Sequence, residues 1–448
     1  MINTMKLEQA LENERQRFVR THGKSQELFE SAKGNLLGGV PMNWMIRWAG
    51  PYPVFVKDAK GAHFTDVDGN EYIDFCLGDT GSMVGHAPEP AVRAISEAVK
   101  HGTTYMLPTE DAIYNGEELS RRFGMKYWQF TTSATDANRF VLRLAREVTS
   151  RKKILAFNWC YHGSVDETIA TLDGNGNVIP KPGNTGPQVN PALTSKIIEW
   201  NDVEALENAL RDEDVAAVLA EPVMTNIGIV HPIEGYHDAL RRLTKKYGTL
   251  LIIDETHTIS AGTGGYTKAF GLKPDAVTLG KTIASGIPTG AYGLSEEFGK
   301  MALDAIPERY TDIGGIGGTL AANALSMAAM KATLSEILTE EFYTRNIPMA
   351  KRYNDEVQAL IEKYDLDWST TSLGVRTEYW FRREAPLNGR EAEAAIDEDL
   401  DRYMHLAMMN RGILMTPFHN MALITDGVSD EDIDYHTKMF EEIIKEIV

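Results

Sequence analysis

Between about residue 90 and residue 325, short apolar runs alternate with amphipathic segments, and this alternation constrains the fold more than any other feature. The runs read YWQFTT, KILAF, AAVLAEP, TLLIIDE and DAVTLG. After the first run, Ala137, Phe140, Val141 and Leu144 recur at helical spacing. Repeated strand–helix units of this kind predict an α/β fold with a mostly parallel central sheet and helices on both faces.

Composition narrows the class of protein. The 448 residues are enough for two or three packed units, and the formal net charge of -19 disfavours nucleic acid or an anionic membrane surface as a partner. Only two cysteines occur, Cys76 and Cys160, so we expect no disulfide framework, no metal site and a reducing cytoplasmic location. The first residues are charged, and no apolar run is long enough to span a bilayer.

Changes in pattern divide the chain into three predicted parts. Residues 1–80 combine a polar helical stretch with a hairpin signal, and we expect this segment to pack with a smaller C-terminal domain. Residues 81–328 hold the alternating runs and form the large domain. Residues 329–448 contain the strand-like pieces VRTEYWF and GILMTPF between helices, which predicts a small α+β domain.

Two stretches carry more local predictions. Residues 173–195 are rich in Gly, Pro and Asn, which predicts a long functional or mobile loop. Residues 320–338 contain no Gly or Pro, which predicts one uninterrupted helix.

Polar residues follow the apolar runs. Ligands of open parallel sheets bind beyond the carboxyl ends of the strands, so we expect these side chains to share one rim. Each residue alone is more commonly a strand-end group facing water, but the set indicates a site. The set is Ser133, Thr135, Tyr161, His162, Glu221, Asp254, Glu255 and Lys281.

Lys281 and Asp254 suggest a specific chemistry. Burial at the end of a strand favours a neutral lysine amine, which can form a Schiff base with an aldehyde. A carboxylate after a buried run can pair with a protonated pyridine nitrogen and so favour a charged, electron-withdrawing ring. The turn TTSATDANRF can hold a phosphate at a helix N-terminus, although a simple N-cap by Ser133 or Thr135 explains it equally. A surface lysine beginning a turn of glycines is the alternative for Lys281.

In this order, the motifs resemble the class III aminotransferases, which are pyridoxal 5'-phosphate enzymes of fold type I. The resemblance is nearest to the branch with glutamate-1-semialdehyde aminomutase and the β-amino-acid aminotransferases. It covers nearly the whole chain and is carried by GAHFTDVDGNEYIDF, SATDAN, CYHGS, AAVLAEPVMTNIG, LLIIDETHT, PDAVTLGKTIASGIPTGAYG and GGTLAANALSMAA.

The resemblance implies roles for individual residues. Lys281 would hold the cofactor covalently and shuttle a proton, Asp254 would pair with the pyridine nitrogen, and Tyr161 would stack on the ring. Thr319 would reach the phosphate of the neighbouring subunit, which implies a homodimer with shared active sites. The full set expected to contact the cofactor is Ser133, Ala134, Thr135, Tyr161, His162, Glu221, Asn226, Asp254, Thr256, Lys281 and Thr319.

Departures from the family pattern bear on the ring and the substrate. Thr256, followed by His257, stands where the family has an apolar valine, and Ala134 stands where it usually has glycine. The arginine that forks a carboxylate is missing near the last strand, and Arg376 is a reserve candidate whose more ordinary role is at the surface or a strand edge. The residues expected near the substrate are Trp44, Arg47, Tyr105 and His419.

The activity predicted from these features is amino-group transfer. The donor would be a primary amine or an ω- or β-amino acid, and the acceptor a 2-oxo acid or aldehyde. An aminomutase, an epimerase or a phospho-lyase of the same family is the alternative. A non-catalytic binding protein that keeps the fold is a further alternative from another class.

Overall fold

The computed structural model describes residues 2–185, 189–305, 314–417 and 419–448. The chain forms two compact units. Unit 1 comprises Met1–Pro88, Glu341–Ala385 and Ala395–Val448, and unit 2 comprises Glu89–Glu340 and Pro386–Ala394. The N- and C-terminal segments therefore belong to one unit. The observed divisions fall at 88/89 and 340/341, against predicted ones at 80/81 and 328/329, and Pro386–Ala394 returns to unit 2.

Helices and strands are numbered in chain order through the described residues. The helices are α1 Thr4–Thr21, α2 Gly23–Ala32, α3 Glu89–Ala98, α4 Glu110–Phe123, α5 Ala134–Thr149, α6 Val203–Leu210, α7 Tyr236–Lys246, α8 Gly265–Ala269, α9 Glu296–Ala305, α10 Ala324–Ala332, α11 Glu340–Lys363, α12 Gly389–Ala394, α13 Glu398–Met409 and α14 Asp430–Ile447. The strands are β1 Val56–Lys60, β2 His63–Asp66, β3 Glu71–Asp74, β4 Tyr127–Thr131, β5 Lys153–Phe157, β6 Ala170–Leu172, β7 Val178–Pro180, β8 Ser195–Ile198, β9 Val215–Ala220, β10 Leu250–Asp254, β11 Ala276–Gly280, β12 Gly290–Leu294, β13 Ser369–Leu373, β14 Arg376–Trp380, β15 Ile413–Leu414 and β16 Met421–Leu423.

Unit 2 is built on a sheet with the strand order β4-β12-β11-β10-β9-β5-β8. The apolar runs of the sequence supply β4, β5, β9, β10 and β11, and every residue of β9 and β11 is buried. Strand β12 is antiparallel to both of its neighbours, while the other pairs of this sheet are parallel. The prediction of a mostly parallel α/β sheet is confirmed.

Strand β12 was missed by sequence reasoning, which treated its glycines as turns. A Cβ on Gly290 would lie 2.4 Å from the carbonyl oxygen of Ser133, and one on Gly293 would lie 2.6 Å from Cζ2 of Trp128. Glycine is thus used here because neighbouring groups approach the strand closely. A glycine-rich sequence conceals a strand when the close approach comes from tertiary packing.

The predicted helix over 320–338 is wrong at its start, and its last part is not α-helical. Helix α10 begins at Ala324, where the side chain of Asn323 accepts a hydrogen bond from the backbone N–H of Ser326 at 2.9 Å. The last turn, Thr333–Ile337, is a π-helix. Buried Arg122 donates hydrogen bonds to the carbonyl oxygens of Leu334 at 2.6 Å and Leu338 at 2.8 Å. These bonds satisfy two carbonyl groups at the wider, π-helical end of the helix.

The predicted long loop over 173–195 is only partly a loop. Strand β7 pairs with β6 as an antiparallel hairpin, and Pro191–Leu193 forms a short 3-10 turn. Nζ of Lys181 donates to the carbonyl oxygen of Cys160 at 3.1 Å, which fastens the described part of this stretch beside the segment that follows β5. Residues 186–188 lie outside the described part of the chain.

Unit 1 joins the two ends of the chain. Strand β15 pairs in parallel with β3, which extends the N-terminal sheet with a C-terminal strand. Buried Glu14 of α1 forms an ion pair with Arg411 at 2.6 Å. Arg376 is fully buried in β14, the middle strand of the sheet β13-β14-β16, and donates to the hydroxyl of Thr80. The expected surface or strand-edge role of Arg376 is therefore wrong, because neighbouring strands cover it on both sides.

Candidate active site

Lys281 occupies the first position after β11, and its backbone is unusual. Its φ is +53°, in the left-handed region, at the start of the 3-10 turn Lys281–Ala284. A left-handed conformation costs an L-residue other than glycine about 1–2 kcal/mol. Such strain persists where the surrounding structure imposes it, and it is found most often at functional sites.

A row of residues across three strands brings a second predicted segment beside Lys281. Gly280 of β11 pairs with Gly290 of β12, and Gly290 pairs with Thr131 of β4. A Cβ on Gly280 would lie 2.7 Å from Cβ of Ala134. The turn from Ser133 to Thr135 therefore lies directly against the backbone that precedes Lys281.

That turn is the N-terminus of α5. The side chain of Ser133 accepts from the backbone N–H of Asp136 at 3.2 Å, so the N-cap expected from the sequence is present. The hydroxyl of Thr135 accepts from the backbone N–H of Ser164 at 3.2 Å. A Cβ on Gly163 would lie 2.0 Å from that hydroxyl oxygen, so glycine permits the contact. The contact fastens the turn to the segment containing Tyr161 and His162.

Asp254 ends β10 and is buried, with its carboxylate held by donors from three segments. Oδ2 accepts from Nδ1 of His162 at 2.9 Å and from Nδ2 of Asn138 at 2.8 Å, and Oδ1 accepts from the backbone N–H of Thr256 at 3.0 Å. Burial alone would raise the pKa of Asp254, but the His162 hydrogen bond and charge, with the other donors, lower it to about 2. Asp254 is therefore charged at neutral pH.

His162 is fixed by the same network. Burial alone would lower its pKa, but the side chain of Cys160 and the carboxylate of Asp254 raise it to about 10. Asn138 also donates to the carbonyl oxygen of His162 at 3.1 Å and accepts from the hydroxyl of Thr278 at 2.7 Å. Sequence reasoning missed Asn138 and Thr278. Their signal is a polar residue within an otherwise apolar helix face or strand.

Glu221 directly follows β9 in unit 2 and is buried. One carboxylate oxygen accepts from the hydroxyl of Thr225, and the other, buried Oε1, has no hydrogen-bond partner among the described residues. Burial raises the pKa of Glu221 to about 7, against the charge of His162 and the Thr225 hydrogen bond. Nearby, the side chain of Asn226 donates to the carbonyl oxygen of Trp159 at 3.0 Å.

His257 makes the closest described contact to the amine of Lys281. Its Nε2 lies 2.8 Å from Nζ of Lys281. Two unit charges at that distance would repel by about 6 kcal/mol at an effective dielectric constant of about 20. A hydrogen bond between these two nitrogens needs one of them to donate and the other to accept.

The other predicted residues are more scattered. In unit 1, half-buried Trp44 lies in the short 3-10 turn Asn43–Ile46, and exposed Arg47 directly follows that turn. His419 is also in unit 1 and lies 2.8 Å from Oε1 of buried Glu378. In unit 2, Tyr105 is exposed and its hydroxyl donates to the carbonyl oxygens of His101 and Gly102.

Tyr161 and Thr319 complete the predicted set, and both lie in unit 2. Tyr161 is half-buried, next to the His162 that contacts Asp254, whereas Thr319 is exposed in the single chain. No cluster of three or more His, Cys, Asp or Glu side chains suited to a metal ion occurs in the described ranges. Within the same ranges, no helix is both long and apolar enough to cross a membrane.

Comparison with known proteins decides the family. The model of the family described as aminotransferase class-III matches residues 44–444. The chain belongs to the class-III aminotransferase family. The predicted membership is confirmed, and with it the dependence of this class-III enzyme on pyridoxal 5'-phosphate.

Comparison with individual proteins shows which class-III relatives the chain resembles. It is 32% identical over 436 residues to a glutamate-1-semialdehyde 2,1-aminomutase of Persephonella marina, covering 95% of this chain and 99% of the relative. A solved structure of a glutamate-1-semialdehyde-aminomutase from Pseudomonas aeruginosa, in complex with PMP, has a TM-score of 0.98 and 44% identity and covers 100% of both chains. An omega-transaminase from Sphaerobacter thermophilus has a TM-score of 0.86 and 25% identity over 96% of this chain and 99% of the other.

The geometry of unit 2 fits pyridoxal phosphate. The carboxylate of Asp254 can accept about four hydrogen bonds and accepts three from the protein, which leaves room for a donor from a bound group. Buried oxygens Oγ1 of Thr256 and Oε1 of Glu221 have no hydrogen-bond partner in the described part of the chain, so a bound group can supply one. The N-terminus of α5 beside Lys281 suits a phosphate.

Proposed function

We propose that this protein is a pyridoxal-phosphate-dependent aminomutase that exchanges the amino group and the aldehyde oxygen on neighbouring carbons of glutamate-1-semialdehyde or a close analogue. The observation that carries the proposal is the full-length similarity to the Pseudomonas aeruginosa aminomutase, at 44% identity and a TM-score of 0.98. The full-length similarity to the Persephonella marina aminomutase supports the same activity. The reaction is an isomerisation and needs no second substrate.

Within this proposal, Lys281 provides the amine that holds the cofactor and then carries a proton between the reacting carbons. It has a left-handed backbone conformation directly after β11, at the start of the 3-10 turn Lys281–Ala284. The cofactor supplies an electron sink that stabilises a carbanion next to nitrogen. The chain supplies the orientation of that group, the proton at Nζ and a water-poor environment.

Asp254 maintains the charge of the ring nitrogen. Its carboxylate is ionised at neutral pH, and its three protein donors prevent it from rotating. His162 acts on Asp254 through the 2.9 Å hydrogen bond and is therefore a positioning residue. Tyr161, on the same short segment, would cover the ring face in this proposal.

Ser133, Ala134 and Thr135 hold the phosphate through the N-terminus of α5, where backbone N–H groups and the helix dipole favour an anion. Alanine at 134 is compatible with this role because the turn is helical from that residue onwards. Glu221, Asn226 and Thr256 border the site with polar atoms that orient the cofactor and substrate.

We also propose that the active enzyme is a homodimer in which Thr319 of each chain completes the phosphate site of the other. Exposed apolar residues in the same unit support this assembly. Met106 is 71% exposed, Leu107 is 72% exposed and Leu320, next to Thr319, is 58% exposed. A second copy of the chain would cover such residues.

A transaminase is the second candidate, favoured by the similarity to the Sphaerobacter thermophilus omega-transaminase across 96% of this chain. In this case Trp44, Arg47, Tyr105 and His419 would bind an amine donor with an apolar part. The comparisons favour the aminomutase because its relatives are more similar over the same length.

One assay separates these candidates. The purified holoenzyme is given glutamate-1-semialdehyde alone, and the isomer with exchanged groups is measured. In parallel, a panel of amines and amino acids is tested with pyruvate, 2-oxoglutarate and succinic semialdehyde. Isomer formation without any added oxo acid supports the aminomutase. Turnover only when a donor and an oxo acid are both present supports the transaminase and refutes the aminomutase.

A further inference from the structure

His257 is a basic side chain with no role in the proposed function, yet it contacts the reacting amine. Its Nε2 lies 2.8 Å from Nζ of Lys281. His257 directly precedes the 3-10 turn Thr258–Ala261, and Lys281 begins the 3-10 turn after β11, so two backbone turns fix the pair. The contact is partly buried and lies between two residues whose backbones are held in turns.

A hydrogen bond between two basic nitrogens restricts their protonation. One nitrogen must donate and the other must accept, so the axis between Nζ and Nε2 holds a single proton. An ammonium at Lys281 requires a neutral His257 that accepts through Nε2. A protonated imidazole at His257 requires a neutral amine at Lys281, whose lone pair is then the acceptor.

The carboxylates adjacent to His257 are already bound. The oxygens of Asp254 accept from His162, Asn138 and the backbone of Thr256. Those of Glu255 accept from the hydroxyl of Thr258 and from the backbone N–H groups of Tyr266 and Thr267. The oxygens of both carboxylates therefore already accept from other donors.

We propose that His257 is a positioning residue and proton acceptor for Lys281, which takes one proton from the Nζ ammonium and leaves a neutral, correctly directed amine. The transfer is balanced, because the N–H bond broken at Nζ is replaced by one formed at Nε2. This inference rests on the role proposed for Lys281 but not on the identity of the substrate. It holds equally for an aminomutase and for a transaminase.

The test follows the amine itself rather than turnover. The full-length chain is freed of cofactor, exposed at near-neutral pH to a limiting amount of an amine-labelling reagent, and digested so that mass spectrometry gives the labelling rate of Lys281. We expect H257A to label Lys281 about a hundredfold more slowly than the wild type, at the lower end of the range for loss of a positioned proton acceptor. Free imidazole in the buffer should restore much of the rate in H257A.

Two further variants separate proton transfer from orientation. H257Q keeps a hydrogen-bond acceptor but cannot take up a proton at this pH, so we expect slow labelling despite correct placement. H237Q is the matched control, because His237 bonds to the carbonyl oxygen of Pro222 and not to Lys281, and its labelling rate should equal that of the wild type. The yellow absorbance that develops when pyridoxal phosphate is added back should follow the same order of rates.

The outcomes are distinguishable from failure of the proposed function. Wild-type labelling rates in both H257A and H257Q would overturn the proposal, even if the aminomutase assay succeeded. Slow labelling that imidazole does not restore, in a variant with an unchanged unfolding midpoint, would also overturn proton acceptance. Slow labelling restored by imidazole would support His257 whatever substrate the enzyme uses.

Discussion

The carboxylate of Asp254 accepts a 2.9 Å hydrogen bond from Nδ1 of His162, and the two side chains are almost completely buried. The contact joins the end of β10 to the segment after β5, across the intervening strand β9. Asn138 of α5 bonds to both residues, so the anion at the base of the site is held from the sheet and from a helix. A charged carboxylate in this position requires such support because burial alone would neutralise it.

The stability contributed by His162 should depend on pH in a defined direction. Its pKa rises from 6.5 to about 10 in the fold, so its contribution is fully present below pH 6.5 and is lost as the pH rises towards 10. The difference in unfolding free energy between the wild type and H162Q, measured by urea denaturation of the cofactor-free chain, should therefore shrink across that range. For H237Q, the stability difference from the wild type should instead shrink as the pH falls below 6.5. Burial lowers the pKa of His237, so the wild type loses stability when the unfolded chain takes up this proton.

Glu221 offers a second test of burial. Its pKa rises from 4.5 to about 7, so the wild type loses stability as the pH rises from 4.5 through 7. E221Q lacks this titration and should become more stable relative to the wild type across that interval, with a constant difference above it. A stability difference that does not change between pH 4.5 and pH 8 would contradict the assignment.

Glu255 is the matched contrast to Glu221. Both its oxygens accept from protein donors, including the backbone N–H groups of Tyr266 and Thr267. E255Q would place an amide N–H group against these donors, and we expect a loss of about 1–3 kcal/mol in unfolding free energy, the usual cost of an unsatisfied buried group. Thermal or urea unfolding at one pH measures the effect.

Gly280 should not tolerate a side chain. A Cβ there would lie 2.7 Å from Cβ of Ala134 and 3.0 Å from its backbone nitrogen, so G280A must displace either the α5 turn or Lys281. We expect weaker binding of pyridoxal phosphate, measured by absorbance titration, together with a lower melting temperature. G116A is the control, because nothing lies within 4 Å of that Cβ, and alanine favours the surrounding helix α4 by about 1 kcal/mol.

Covalent attachment tests the central assignment. Borohydride reduction of the yellow holoenzyme should fix the cofactor to the peptide containing Lys281, as seen by mass spectrometry. K281A should retain no reduced label and should lose turnover by at least about 10²–10⁴-fold, the effect of losing a positioned acid–base group alone. K300A, at an exposed lysine on α9, should behave as the wild type. A label on any other lysine would refute the assignment.

Local patterns predicted much of unit 2 because its strands are short, continuously apolar and separated by amphipathic helices. The same patterns placed Asp254 and Lys281 at strand ends, since a polar residue directly after a buried run marks the edge of a parallel sheet. Strand β12 escaped prediction because its glycines serve to admit Ser133 and Trp128, which are far away in the sequence. Periodicity cannot report such a contact.

The chain's order of residues was enough to establish its family and its fold class, because these depend on local composition and motif order, and it marked Lys281 and Asp254 as candidates. Folding alone determined which groups surround them. Asn138 became a partner of the aspartate and Thr278 a partner of Asn138, His257 came to lie 2.8 Å from the lysine amine, and Arg376 became fully buried in the middle strand of its sheet. Each of these outcomes depends on residues distant in sequence meeting in a dry interior, where a polar group must find a partner.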